Sequence, residues 1–428
     1  MNKHKIFSIT ALAAFLFLAT QTRSQEKPLI LYGGTAHIGD GRVIEHAAIG
    51  IENGIITFVA DATTIRIDTN KASVIDVTGQ QVYPGLIAPN TTLGLTEIDA
   101  VRATHDYQET GTYNPNVRSL IAYNTDSKII PTVRSNGILL AQVCPTGGRI
   151  SGTSSIMALD GWNWEDAAFK ADDGIHLNWP SRFRFTGWWA QPGGIEPNEK
   201  YDQQVANLER FFSEARAYAG TASHEVTNLK FEAMRGLFDH SKKLYVHVNQ
   251  AREILAAVDF AQRYGLDLVL VGARDAWKVA DQLAKAKVPV ILAPVFRIPA
   301  TADEDYDQPY KTAAMLQKAG VLYCLSLKGS WEQRNLMFEA GMTTNWGLSR
   351  EEALASVTSN TARILGIDDL TGTLEEGKQA NIIVSTGDLL DMKTSQVTLA
   401  FIRGEAIDLW THQKELNRIY LEKYGLDK

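Results

Sequence analysis

The apolar residues of this chain follow two different periods. Residues 29–83 carry short β-type runs. In Ile49-Gly-Ile-Glu-Asn-Gly-Ile-Ile-Thr-Phe-Val59 the Asn53-Gly54 pair sits between two such runs, which predicts a hairpin. Val74–Val77 and Gln81–Tyr83 add two strands around Gly79. Further on, strand-like and helix-like segments alternate. Lys243–Val248, Leu268–Val271, Val288–Leu292 and Val321–Ser326 read as strands, with Pro289 marking an irregular entry to the third. Ala251–Arg263, Asp275–Ala286, Tyr310–Lys318 and Arg350–Leu365 read as helices. In the first of these, Ile254, Leu255, Val258 and Ala261 share one face. Continuous apolar strands separated by amphipathic helices imply a parallel sheet covered by helices. An open doubly wound sheet and a closed (β/α)8 barrel satisfy that pattern equally. The chain then returns to β character at Ala380–Val384 and Val397–Ile402, with Gly404 as a turn. Residues 411–425 form a last amphipathic helix, with Leu416, Tyr420 and Tyr424 four residues apart. Strand-rich pieces therefore flank an α/β middle, and packing them together as one small sandwich is the economical arrangement.

Two segments break the pattern. Lys3, His4 and Lys5 precede an apolar run from Ile6 to Ala19 and a polar stretch Thr20–Gln25. This is the three-part shape of a secretory signal over residues 1–24, and it implies an exported protein, periplasmic or secreted. The run is too short to span a bilayer comfortably, and no later stretch is apolar enough to do so. Between about 105 and 205 the alternation is poor. This region holds Trp162, Trp164, Trp179, Trp188 and Trp189, which reads either as a functional loop with an aromatic binding surface or as a structural insertion.

Composition narrows the function classes. The 428 residues are 45% hydrophobic and 21% charged, which are globular proportions. The net charge is −7, so no basic stripe for nucleic acid is expected. Only Cys144 and Cys324 are present, which excludes a disulfide framework and a Cys-rich zinc module. The Gly-rich run Cys144–Ser155 follows the strand Ile138–Val143. It has neither the Lys-Ser/Thr ending of a P-loop nor dinucleotide-fingerprint spacing. It is read as a tight turn, or as a loop whose backbone NH groups hold an anion. His37, His46, His105, His176, His224, His240 and His412 make no metal pattern.

The stretch Val74-Ile-Asp-Val-Thr-Gly-Gln-Gln-Val-Tyr-Pro-Gly-Leu-Ile87 resembles the entry to the barrel in the amidohydrolase superfamily, imidazolonepropionase-like branch. Ser359-Asn-Thr-Ala-Arg-Ile-Leu-Gly366, followed by Gly372–Val384, resembles that family's exit from the barrel. The resemblance covers nearly all of the chain after the leader. It implies a (β/α)8 TIM barrel over 85–367, a composite β-sandwich from 26–84 plus 368–410, and a C-terminal helix over 411–428. It also implies hydrolysis of C–N bonds, non-peptide or dipeptide, by water activated on a divalent metal such as zinc.

The family's metal ligands are two His on strand 1, one His each on strands 5 and 6, and an Asp on strand 8. Mapped residue by residue, these positions are Asn90, Thr92, His247, Gly272 and Lys328. Only His247 is the expected residue type. Asn and Thr offer neutral oxygens, which hold transition metals weakly beside imidazole. Gly272 offers no side chain. Lys328 reverses the charge, and a divalent ion about 4 Å from it would be repelled by about 8 kcal/mol at an effective dielectric near 20. No metal cofactor is therefore expected. Three readings follow. One is a protein with a degraded metal centre that binds a small-molecule or peptide ligand, or pairs with a second copy or an intact relative. Another is a metal-independent or relocated-site hydrolase using Lys328 and His247. The third is a binding protein that uses the Trp-rich segment 162–189.

Overall fold

The computed structural model describes residues 27–426 except 189, 192, 302 and 303. The expected leader and Trp189 lie outside the described residues. The chain opens with β1 (Leu29–His37), β2 (Val43–Glu52), β3 (Ile55–Asp61), β4 (Ser73–Asp76) and β5 (Gln81–Pro84). The expected hairpin joins β2 to β3. Asn53 and Gly54 both take positive φ, 51° and 81°, as a two-residue turn matched to strand twist requires. Gly54 has no room for a side chain, since a Cβ there would lie 2.6 Å from the Arg403 carbonyl.

The barrel follows, with β6 (Leu86–Thr91), β7 (Ile138–Val143), β8 (Ile150–Ala158) and β9 (Ala168–Asn178). A small hairpin, β10 (Phe183–Phe185) with β11 (Ile195–Pro197), comes next. The barrel resumes with β12 (Lys243–Val248), β13 (Leu268–Gly272), β14 (Val290–Leu292) and β15 (Tyr323–Leu325). β16 (Ile382–Ser385), β17 (Val397–Ile402) and β18 (Glu405–Ala406) return to the first sheet, which runs β18-β17-β16-β5-β1-β2-β3 with β4 also on β1. Both ends of the chain thus build one sheet. The β2–β3 hairpin also meets the segment before β16, where Ile56 NH bonds the Lys378 carbonyl and Ala380 NH bonds the Gly54 carbonyl, both at 2.8 Å. Leu31, Ile49, Ile56, Ile382, Val384 and Phe401 fill a core separate from the barrel's.

The eight barrel strands run β15-β14-β13-β12-β9-β8-β7-β6. Two features depart from the sequence reading. First, β8 is antiparallel to both neighbours. The six residues 144–149, with Gly147 and Gly148 at φ 83° and 61°, turn the chain straight back and leave no length for a crossover helix. The run read as a Gly-rich loop to Ser155 is thus a turn followed by a fully buried strand. The Thr146 and Arg149 NH groups of the turn bond the Tyr107 and Thr112 carbonyls, which removes two of the donors an anion would need.

Second, the helix read over 350–365 is two helices, Arg350–Ala355 and Ser359–Leu365. The link between them closes the barrel. The Ser356 carbonyl accepts from Leu325 NH (3.1 Å) and the Val357 carbonyl from Ile87 NH (3.0 Å), so one short segment joins the last strand to the first.

The tryptophans do not form one surface. β9 has 11 residues and a length of roughly 35 Å at about 3.3 Å per residue. Trp162 and Trp164 precede it, while Trp179 and Trp188 follow it, at the other end of the barrel. Trp179 is buried, edge-on to Phe260 at 5.5 Å.

Candidate functional site at the barrel mouth

The carboxyl ends of the barrel strands gather the mapped positions, as barrel chemistry requires. Asn90 lies near the end of β6 in left-handed conformation, φ 53°, and its NH donates to Gln142 Oε1 at 3.1 Å. Thr92 follows β6, and its NH points to the Gly329 carbonyl at 3.4 Å. Thr91 Oγ1 donates to the same carbonyl at 2.7 Å, which ties strand 1 to the segment after β15.

His247 sits near the end of β12. Tyr245 and His247 are two residues apart and share the inward face. On the neighbouring β9, His176 is opposite Tyr245 and Asn178 is opposite His247. His176 is fully buried and stacks on the Tyr245 ring at 4.8 Å. His176 Nδ1 and His247 Nε2 share a hydrogen bond of 2.9 Å. His176 Nε2 is buried with no partner among the described residues. Burial lowers the pKa of both rings. His247 falls to about 4, and His176 falls well below the usual value with added repulsion from His247. The pair is neutral at pH 7.

Beneath it lies a buried carboxylate. Asp173 accepts from Ser154 Oγ (2.7 Å), Gln142 Nε2 (2.8 Å) and Tyr245 OH (2.7 Å). Gln142 therefore links this carboxylate to the backbone of Asn90. The network leaves Asp173 saturated with donors and holds the ring of Tyr245, on which His176 rests.

Sequence reasoning missed His176, Asp173 and Gln142. His176 was placed in the Trp-rich stretch, whereas it pairs directly with His247. The local signal was the apolar alternation Gly174-Ile-His-Leu-Asn178, which resembles the end of a barrel strand.

Gly272 ends β13 at φ 85°, and Ala273 follows at φ 41°. A Cβ on Gly272 would lie 2.9 Å from Asn249 Oδ1. The Asn249 amide thus stands where a ligand side chain would begin. Lys328 is exposed and has no hydrogen bond or ion pair among the described residues.

A catalytic zinc site takes three protein ligands from imidazole, carboxylate or thiolate. Among the described residues no three His, Cys, Asp or Glu side chains are placed to hold an ion. With neutral Asn90 and Thr92, a blocked Gly272 and a cationic Lys328, the residues at the family positions do not fit a divalent metal. Cys144 and Cys324 are free and buried, and burial pushes both thiols well up, so neither is a ready nucleophile.

Comparison with known proteins agrees with this architecture. A model of the Amidohydrolase family matches residues 297–405. Imidazolonepropionase of Rhizobium rhizogenes is 26% identical over 370 residues, covering 81% of this chain and 88% of that protein. The crystal structure of an amidohydrolase from Thermotoga maritima MSB8 superposes with a TM-score of 0.75 at 22% identity, over 89% of this chain and 99% of that one. A prolidase complexed with N-methylphosphonate-L-proline superposes at 0.56 and 16% identity, over 89% and 99%. The barrel with its β-rich second unit has the same fold as those two structures. The chain is thus similar to imidazolonepropionases over most of its length and matches the Amidohydrolase family over its C-terminal part.

Proposed function

We propose that this protein is an exported, periplasmic or secreted amidohydrolase-superfamily member that binds a small-molecule or peptide ligand at the barrel mouth without metal-activated hydrolysis. The observation that carries this reading is Asn249 Oδ1, 2.9 Å from where a side chain on Gly272 would start. The Asn249 amide therefore stands beside the position from which the family's ligand side chain would extend. The left-handed backbone at Asn90, Gly272 and Ala273 favours a binding role. Such conformations are strained for Ala and persist where the surroundings over-determine them, commonly at binding sites.

Metal analysis of the purified protein, with an activity screen on dipeptides and cyclic amides, tests the proposal. It predicts substoichiometric zinc, manganese and iron and no turnover. A stoichiometric metal, or turnover abolished by a chelator, overturns it. The second reading is a metal-independent hydrolase of C–N bonds, favoured by the neutral His176–His247 pair as a proton acceptor. It requires turnover that disappears in His247→Ala and persists in chelator.

A further inference from the structure

The turn between β7 and β8 spends backbone NH groups on the Tyr107 and Thr112 carbonyls, but its one charged side chain is left largely unspent. Arg149 is half-buried, and its guanidinium makes one hydrogen bond, from Nη1 to the Asn178 carbonyl at 2.6 Å. It has no ion pair among the described residues. A guanidinium holds its N–H donors in a rigid fork, and most of this fork is open. Burial lowers the Arg149 pKa, and no carboxylate opposes that fall. The chain treats other covered arginines differently. Arg134 pairs with Asp160, and Arg297 with Glu304 at 2.6 Å.

A second guanidinium and a phenol stand beside it. Tyr113 bridges Ile150, the residue after Arg149, and its ring packs on Phe211 at 4.7 Å. Phe211 follows Arg210 on the helix Tyr201–Ala219. Tyr113 thus gathers two arginines that lie about sixty positions apart in sequence. Burial raises the Tyr113 pKa while the charges of Arg149 and Arg210 both oppose the rise, so both cations reach its hydroxyl. Arg210 is exposed. It bonds Asn207 Oδ1 on its own helix at 3.2 Å and has no ion pair among the described residues. The Tyr113 hydroxyl has no hydrogen bond among them either. Asn178, which anchors Arg149, lies opposite His247 in the β9–β12 register, so the cluster sits on the rim of the barrel mouth.

We propose that Arg149, Arg210 and the Tyr113 hydroxyl form an oxyanion site on this rim, taking the carboxylate or phosphate group of a small ligand. Taking a cation partly out of water is unfavourable unless an anion compensates it, and the protein supplies none here. A cationic ligand is repelled by both arginines, and an apolar one leaves the fork unpaired. The fork matches two oxygens of a carboxylate or phosphate, and the phenol adds a donor. The site does not depend on whether the mouth holds a metal, so its failure and that of the binding role proposed above are read separately.

Isothermal titration calorimetry of the purified protein with sodium phosphate, and separately with sodium succinate, at ionic strength held constant with sodium chloride, tests this. Saturable binding of at least one anion at a single site is expected, and the tighter of the two identifies the group as phosphate or carboxylate. Arg149→Gln and Arg210→Gln each weaken it on the order of tenfold or more, as for loss of one charge-assisted hydrogen bond. Lys71→Gln, which removes an equal charge from an exposed position before β4, leaves it unchanged. Arg210 is exposed, so Arg210→Gln keeps the wild-type circular dichroism and melting temperature and decides the matter even where Arg149→Gln fails to fold. Absence of saturable binding of both anions overturns the proposal. So does binding that Arg210→Gln leaves unchanged, or that Lys71→Gln weakens equally.

Discussion

Protonating either imidazole of the His176–His247 pair would put a charge into a buried, low-dielectric pocket. The folded pKa of His247, about 4, lies below the unfolded value near 6.5. Between those values the unfolded chain binds more protons, so stability rises with pH there and is lost as pH falls from 6.5 towards 4. The shift corresponds to at most roughly 3 kcal/mol, less whatever solvent screens at this partly exposed ring. Urea midpoints at pH 7 and pH 5 should show the decline, and His247→Gln should flatten it. At Gly272, φ 85° and the Asn249 amide together resist any side chain. Gly272→Ala should cost about 1–3 kcal/mol in urea unfolding, and Asn249→Gly in the same background should recover part of it.

Most elements were legible because their periodicity is local. β12, Lys243–Val248, and β17, Val397–Ile402, fall on the runs read from sequence, and the helix Ala251–Tyr264 extends its reading by one residue. The failures share one cause. β8 is buried on both faces and its middle, Ser151–Ser155, is Ser, Gly and Thr, so it shows neither a continuous apolar run nor alternation. The break at 356–358 leaves the helical period almost intact, because its purpose is to offer two carbonyls to strands far away in sequence. The helix before this junction, Arg350–Ala355, starts with a capping box, Ser349 Oγ accepting from Glu352 NH while the Glu352 carboxylate accepts from Ser349 NH. Ser349→Ala should lower stability by about 1 kcal/mol, measured as a shift in urea midpoint.

At the scale of the molecule, one contact couples the first sheet to the barrel's last helices. His37 on β1 stacks on Tyr83 at 4.5 Å, bonds Glu351 at 2.6 Å and bonds Gln81 at 2.9 Å. Burial works to lower the His37 pKa, but those hydrogen bonds and the charge of Glu351 outweigh it and the net shift is upward. Its contribution is therefore present below the unfolded pKa and lost as pH rises through the folded one. Together with His247 this predicts a stability maximum near pH 6.5. His37→Gln should remove the decline on the alkaline side and leave the acid side unchanged, as read from urea midpoints across pH 5 to 9.

The sequence by itself determined the strand-rich flanks around an α/β middle, the resemblance to a family, and the residue types Asn90, Thr92, Gly272 and Lys328 at the positions mapped from it. Those are properties of residue identity and short-range period. Only the tertiary structure decided that His176 faces His247, that the Asn249 amide lies beside Gly272, and that Lys328 stands in solvent. Each depends on which strands lie side by side and which surfaces are covered. Pairing between β9 and β12 joins residues about seventy positions apart, and no period along one strand records its neighbour.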